Sequence, residues 1–414
     1  MHKIERLLQT LVPKGVEFRK IGEICLIKSG RVIAKKILQE NGKYPVYSSQ
    51  TLNNGILGFI DTYDFDGEFL TWTTDGAYAG SVFYRNGRFS ITNVCGLLQV
   101  IQDNILHKYL YYILQITAPL HVSSGMGNPK LMSAAMQQIT IPIPPLEIQQ
   151  EIVKILDAFT ELNTELNTEL NTELKARKKQ YEYYQNMLLD FNDINQNRKD
   201  AKERLAQKTY PKRLQTLLQT LAPKGVEFRK LGEVLEYDQP NKYCVTSKEF
   251  DKSYPTPVLT AGKTFILGYT NEKDNIYQAS KNAPVIIFDD FTTATQWVDF
   301  PFKVKSSAMK ILFSKNPTIN IRFIFFYMQT IPYNIGGEHA RHWISHYSQL
   351  EVPIPPLEIQ QEIVKILDAF TELNTELNTE LNTELKARKK QYEYYREKLL
   401  TFKPITPNKE VKKC

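Results

Sequence analysis

Apolar positions along residues 146–190 recur at helical spacing. Ile148, Ile152, Ile155, Phe159, Leu162, Leu166, Leu170 and Leu174 follow one another in steps of 4, 3, 4, 3, 4, 4 and 4. The early steps describe a coiled-coil seam, and the later tetrads make the stripe drift around the helix. Pro145 fits the first helical position, Glu147 favours the dipole at the start, and Lys175, Arg177, Lys178 and Lys179 suit the later turns. If wholly helical, Leu146 to Asp190 spans about 67 Å. The stripe returns at Ile359, Ile363, Phe370, Leu373, Leu377, Leu381 and Leu385. A helix with one leucine stripe must bury it, and its copy in the same chain is the economical partner.

That recurrence belongs to a larger duplication. LLQTLVPKGVEFRKIGEI at 7–24 reappears at 217–234 with three changes, and residues 142–184 return unchanged at 353–395. Four TELx units fill Thr160–Lys175 and four more fill Thr371–Lys386. Between these frames lie 117 residues (25–141) and 118 residues (235–352) that share almost nothing. Equal lengths in identical frames predict two domains of one fold with different surfaces.

Both inserts read as mixed strand and helix. Residues 44–84 hold β-rich runs broken at Asn-Gly and Asp-Gly, Ile105–Ile116 reads as a helix, and SSGMGNPKL at 123–131 as a glycine-rich loop. In the second insert, 256–270, 284–293 and 302–313 are strand-like, Ile321–Met328 helical, and GGEHARHWISHYS at 336–348 the counterpart loop. The fold expected is α+β: two similar mixed α/β domains with pseudo-twofold symmetry, separated by two long helices in an antiparallel coiled-coil pair. The expected divisions are an N-terminal domain at 1–145, a spacer helix at 146–191, a polar linker at 192–216, a second domain at 217–356, a second helix at 357–402 and a basic tail at 403–414.

Composition narrows the function classes. Hydrophobic residues make up 42% and charged residues 23%, as in a globular protein, and no apolar run is long enough to cross a bilayer. Four dispersed cysteines without CxxC spacing fit a cytoplasmic protein with free thiols. The net charge of +7 permits a polyanionic partner.

The VEFRKIGE lead-in (16–23, echoed at 226–233), IPIPPLEIQQEIVKILD (141–157, echoed at 352–368) and the tandem tetrads, duplicated in the same order, resemble the specificity subunits of Type I restriction-modification systems. The resemblance implies that each recognition domain reads one half of a bipartite, asymmetric double-stranded DNA site. The helix pair then sets the gap and docks two methyltransferase (modification) subunits, and two restriction/translocase subunits can join them. It implies no catalytic site here, with S-adenosylmethionine, ATP and Mg²⁺ on the partners.

Base edges are read by Arg, Lys, Asn, Gln, Ser and Thr, and phosphates take the remaining basic contacts. The DNA-contact candidates are Arg31, Lys35, Ser48, Ser49, Tyr78, Asn128 and Lys130 in the first domain. In the second they are Lys263, Thr292, Lys303, Lys305, Ser306, His339, Arg341 and His342. Other chemistries fit less well. Ala261–Thr264 mimics the end of a phosphate loop but has Pro257 at the required glycine. His339, His342 and His346 have metal-like spacing without a cysteine nearby, and Asp289-Asp290 lacks a nuclease partner motif. No metal site is expected, and no adenine-methyltransferase tetrad is present. A protein-only coiled-coil scaffold and a self-sufficient DNA methyltransferase or nuclease are the alternatives.

Overall fold

The computed structural model describes residues 2–123, 127–191, 210–260, 264–332 and 341–404. The chain divides into two compact units, Met1–Leu170 with Asn382–Cys414, and Asn171–Leu381. Among the described residues no helix is long and apolar enough to cross a membrane.

In the first unit, α1 (His2–Leu11) and β1 (Glu17–Lys20) lead into the short α2 (Ile21–Ile24). Six strands follow: β2 (Cys25–Ser29), β3 (Tyr44–Tyr47), β4 (Ile56–Ile60), β5 (Phe65–Thr73), β6 (Val82–Ile91) and β7 (Cys95–Val100). They form one sheet in the order β2-β7-β5-β6-β3-β4. Next come α3 (His107–Thr117), α4 (Ser133–Gln138) and β8 (Thr140–Ile143), which returns antiparallel to β1 and delivers the chain to the long α5 (Leu146–Leu189). The Asp66-Gly67 pair expected to mark a turn lies inside β5. Gly67 (φ 131°) faces Gly87 (φ 103°) across the ladder, so two positive-φ residues bend the hairpin there without ending it.

The second unit repeats the plan. The α6 helix (Lys212–Leu221), β9 (Glu227–Lys230), α7 (Leu231–Val234) and β10 (Leu235–Asp238) open it. Then come β11 (Thr256–Leu259), β12 (Ile266–Thr270), β13 (Val285–Asp289), β14 (Thr295–Val298), β15 (Lys303–Val304) and β16 (Met309–Ser314). α8 (Ile321–Met328), α9 (His342–Ser345), β17 (Glu351–Ile354) and α10 (Leu357–Leu400) complete it. The sheets run β10-β16-β13-β14 and β12-β11-β15. This is the order of the first domain with β6 cut in two. The Phe300-Pro301 step supplies the cut, since proline cannot donate to a ladder. The parallel pairs β3·β6 and β11·β15 keep the same register, Val46 opposite Ser90 and Val258 opposite Lys303.

Each long helix starts from a glutamine with no exposed surface. Gln149 Nε2 donates to Asn104 O at 2.9 Å and Pro144 O at 2.8 Å, while its Oε1 accepts from Leu106 N at 2.9 Å. Gln360 repeats the set with Thr318 O (3.2 Å), Pro355 O (2.7 Å) and Asn320 N (2.8 Å). The first three turns are buried through Ile148, Ile152 and Leu156 against Ile21, Tyr109 and Leu110. In the second unit Ile359, Ile363 and Leu367 pack with Leu231 and Phe323.

The helices pair antiparallel within each unit. Leu399 and Leu400 join the core that holds Leu156, and Phe159 stacks on Tyr395 with centroids 5.5 Å apart. In the other unit Leu188 and Leu189 join the core of Leu367, and Phe370 stacks on Tyr184 at 5.1 Å. The same contact is made twice with the helices exchanging roles.

The expected stripe needs one correction. Leu162 and Leu373 are 55% and 48% exposed, and Leu156 and Leu367, absent from the expected seam, are fully buried. The first turns face a globular core, so burial runs from Ile148 through Ile152, Leu156 and Phe159 to Asn163, which like Asn374 is half-buried. Leu166, Leu170, Leu174, Leu377, Leu381 and Leu385 are half-buried too.

Replacing Gln149 or Gln360 by leucine strands a buried amide N–H and two carbonyls. Each variant should lose about 3 kcal/mol in urea unfolding, whereas Glu165→Ala on an exposed tetrad should not move the transition. An unchanged midpoint for both glutamine variants would show that the amide does not hold the junction.

Candidate nucleic-acid interface

Four loops meet at one end of each sheet. In the first domain Gly30, just past β2, donates to Cys95 O at 3.2 Å, and Arg31 N to Ile91 O at 3.3 Å. A Cβ at Gly30 would lie 2.2 Å from Thr92 O, so only glycine lets β2 approach the end of β6. Thr92 N then donates to Tyr47 O at 2.9 Å, and its hydroxyl to Ser48 Oγ at 3.0 Å. Thr74 N donates to Val94 O at 3.1 Å and Leu131 N to Thr74 O at 2.8 Å, while Gly76 N reaches Pro129 O at 3.0 Å. The loops after β3, β5 and β6 and the approach to α4 therefore form one continuous edge.

The second domain builds the same edge with different side chains. Lys305 N donates to Leu259 O at 2.8 Å, Asp290 N to Ala308 O at 3.2 Å and His342 N to Asp290 O at 3.0 Å. The offset that carries Pro142 onto Pro353 also carries Lys130 onto Arg341. Both are exposed and basic, and each immediately precedes the residue bonded to the turn after β5 or β13.

Most of the first-domain candidates fall on this edge. Ser48 and Ser49 are half-buried beside Thr92, and Tyr78, Asn128 and Lys130 are exposed around the Thr74–Leu131 link. Arg31 is exposed and pairs with Asp64 at 2.9 Å. Lys35 is also exposed, but it lies in a separate turn (Lys35–Ile37) leading to Gln39, which pairs with Phe59 at the outer strand. In the second domain Thr292, Lys305, Ser306 and Arg341 are exposed on the edge. Lys263 and His339 lie outside the described residues.

Two candidates are corrected. Lys303 is only 3% exposed: on β15 its side chain alternates inward, where it pairs with Glu272 at 2.7 Å and donates to Asp274 O at 2.8 Å. His342 is 1% exposed, its ring buried while its backbone makes the link to Asp290. Neither side chain reaches the surface.

The acidic pair is consumed by structure. Asp289 accepts from Phe291 N (3.0 Å), Thr292 N (3.3 Å) and the Thr292 hydroxyl (2.5 Å), and so shapes its own turn. Asp290 accepts from Trp343 N at 2.9 Å and faces buried Lys310 at 3.6 Å. Among the described residues no cluster of His, Cys, Asp or Glu is arranged to hold a metal ion. Thr92 and Thr74, which organise the edge, were not among the expected residues. The LTWTT run (70–74) at the end of β5, with small polar residues set against large apolar ones, was the one signal for Thr74, and Thr92 had none.

The model of the Type I restriction modification DNA specificity domain matches residues 13–176 and again 223–387. The chain belongs to this family. A specificity subunit of Mycoplasma pneumoniae with the provisional name S.MpnORF507P is 34% identical over 396 residues, covering 92% of this chain and 96% of its own. The EcoR124I/EcoR124II specificity subunit of Escherichia coli is 56% identical over 188 residues, a match spanning 43% of this chain and 45% of that subunit. A chain from a structure titled for complex assembly and conformational transition of the type I R-M system shares the fold with a TM-score of 0.59. Its identity is 12%, and the match covers 93% of this chain and 97% of that one. As a specificity subunit, the chain carries two recognition domains, one in each matched stretch.

Lys303 and Lys305 separate structure from binding. Burial alone would raise the Glu272 carboxyl, but Lys303 and the Thr246 and Ser247 donors outweigh it and hold it down to about 2 from 4.5. Lys303→Ala should cost about 3 kcal/mol, as expected when one partner of a buried pair is removed. A carboxyl depressed on folding stabilises above its ordinary pKa and loses that contribution as pH falls through the folded value. The wild-type advantage over Lys303→Ala should thus be full above about pH 4.5 and shrink towards pH 2. Lys305→Ala should leave unfolding unchanged, and equal stability of the two variants would contradict the assignment.

Proposed function

We propose that each domain reads one half of a bipartite, asymmetric double-stranded DNA site through the edge described above. The observation that carries this reading is the equivalence of Lys130 and Arg341. Two inserts without sequence similarity keep an exposed basic residue at one position of one hydrogen-bonded edge, while the polar residues around it differ. A constant phosphate contact beside variable base contacts accounts for that pattern, since phosphate contacts position and base contacts specify. Arg31, Ser48, Ser49, Tyr78, Asn128 and Lys130 serve the first half-site. Thr292, Lys305, Ser306 and Arg341 serve the second. Lys35 contributes charge from outside the edge.

The long helices set the gap between the halves and carry two methyltransferase subunits, which two restriction/translocase subunits join for ATP-dependent cleavage. Adenine-N6 methylation and cleavage use S-adenosylmethionine, ATP and Mg²⁺ held by those partners, in the cytoplasm. The chain itself is noncatalytic.

Arg341→Ala in the assembled complex should weaken binding about tenfold on cognate and unrelated duplexes alike, and flatten the salt dependence by about one unit. Fluorescence anisotropy at several salt concentrations measures this, and unchanged affinity would remove Arg341 from the interface. One four-residue unit adds roughly 6 Å of helix, close to one or two base pairs at ~3.4 Å each. Deleting one TELN unit from both helices should shorten the gap mapped by adenine methylation and leave both half-sites intact. An unaltered gap would rule out the spacer role.

A further inference from the structure

Two buried polar groups in the first domain lack a hydrogen-bond partner among the described residues: the Thr73 hydroxyl and Arg85 Nη1. They sit close together in the fold. Thr71 and Thr73 alternate onto one face of β5, and Arg85, opposite Phe69 on β6, donates from Nε to Thr71 Oγ1 at 3.1 Å. The guanidinium lies 3.5 Å from the centre of the Tyr47 ring and 4.6 Å from that of Phe83. The groups acting on it are Tyr47, through its charge and a side-chain hydrogen bond, Cys95 and Tyr111, none of them a carboxylate. At 3% exposure it is a buried cation with no counter-charge among the described residues, and burial pulls its pKa from 12.5 down to about 10.

The fold does not require this charge. In the second domain the ladder position of Arg85 belongs to Val298, opposite Val285. The position of Thr73 belongs to Asp289, whose carboxylate is fully engaged by its own turn. The same sheet is thus built with an apolar pair where the first domain places a guanidinium that no carboxylate among the described residues neutralises.

The pocket has a thin cover. The loop from Ser48 to Gly55 passes over it, so close that a Cβ at Gly55 would lie 3.1 Å from Arg85 Nη2. This loop joins β3 to β4, the last two strands at one edge of the sheet. Its hydrogen bonds include Ser48 N to Gly55 O at 3.0 Å, Ile56 N to Asn53 O within a short turn at Leu52–Gly55, and the Gln50 amide to Ile56 O, besides the Thr92 hydroxyl on Ser48. Asn53 and Asn54 are both left-handed (φ 49° and 52°), and Leu52 between them and Thr51 is 80% exposed. Tyr47, whose ring holds the guanidinium, gives its carbonyl to Thr92 at the centre of the edge.

The geometry points to Arg85 as a DNA-phosphate contact held under a movable loop. When duplex seats on the edge, the Ser48–Gly55 loop shifts aside, and the guanidinium with the Thr71 and Thr73 hydroxyls receives a phosphate oxygen. This rests on the DNA-reading function proposed above. The test uses the full chain assembled with its modification subunits, a duplex carrying the methylation-mapped site and an unrelated duplex of equal length. Arg85→Met should lower affinity about tenfold on both and flatten the slope of log K against log salt by about 0.9. Arg85→Lys should restore the slope, and the melting temperature of Arg85→Met should not fall below that of the wild type. Wild-type affinity and slope in Arg85→Met would overturn the inference, and so would a loss confined to the cognate duplex at unchanged slope. If Arg85→Met does not fold, Thr73→Val carries the test: weaker binding supports the pocket and unchanged binding overturns it. A wild-type complex that binds neither duplex would overturn the DNA-reading function itself, and this inference with it.

Discussion

The structure depends on two glutamines that are wholly buried and wholly satisfied. Gln149 and Gln360 each use one amide hydrogen and the carbonyl to tie the first turn of a long helix to the loop that precedes the domain's internal helix, and the other amide hydrogen to hold the proline carbonyl that leads into the long helix. Hydrophobic packing alone holds a helix against a core but tolerates rotation and sliding. Three directional bonds at one residue fix both, because any displacement leaves buried donors and acceptors unpaired. Each helix therefore leaves its domain in one defined direction, which a spacer needs in order to convert length into distance. The aromatic stacks of Phe159 on Tyr395 and Phe370 on Tyr184 hold the second helix of each unit alongside.

On that fixed frame the two inserts differ freely. They share a strand order, the close approach of the turn after β6 or β15 to the strand beside it, and a basic residue at the position of Lys130 and Arg341. Their interiors do not match. The first packs Trp72 over Gly96, where a Cβ would lie 2.1 Å from the indole. The second places Phe288 opposite Lys310 and neutralises that lysine with Asp290. A family that varies its surface must also re-solve its core, and the two domains give two solutions to one backbone problem.

How much was legible follows from which physical rule each residue obeys. The duplicated frames, the long helices and Ile321–Met328 could be read directly, because helical periodicity and repetition are properties of the sequence itself. Lys303 and His342 could not. Lysine and histidine are surface residues by composition, and only β alternation on a two-residue strand and a backbone link to Asp290 turn them inward. Leu156 and Leu162 exchanged places for a related reason: the seam was read against a partner helix, whereas the first turns face a globular core. Arg31, Ser48 and Lys130 were found as residue types, yet that they share one edge depends on Gly30, Thr92 and Thr74. Arg85 was hidden altogether, since nothing in the sequence of β6 separates it from Arg88, which pairs with Asp66.

The central claim is that sequence choice resides in the two inserts and that the frame is common to both. It is tested most directly by replacing residues 235–352 with a second copy of 25–141 in the full chain. Adenine methylation by the assembled complex is then mapped. The account predicts that both halves of the modified site become the half read by the first domain, with the gap unchanged. Persistence of the original second half-site in DNA modified by a folded, assembled chimera would contradict it.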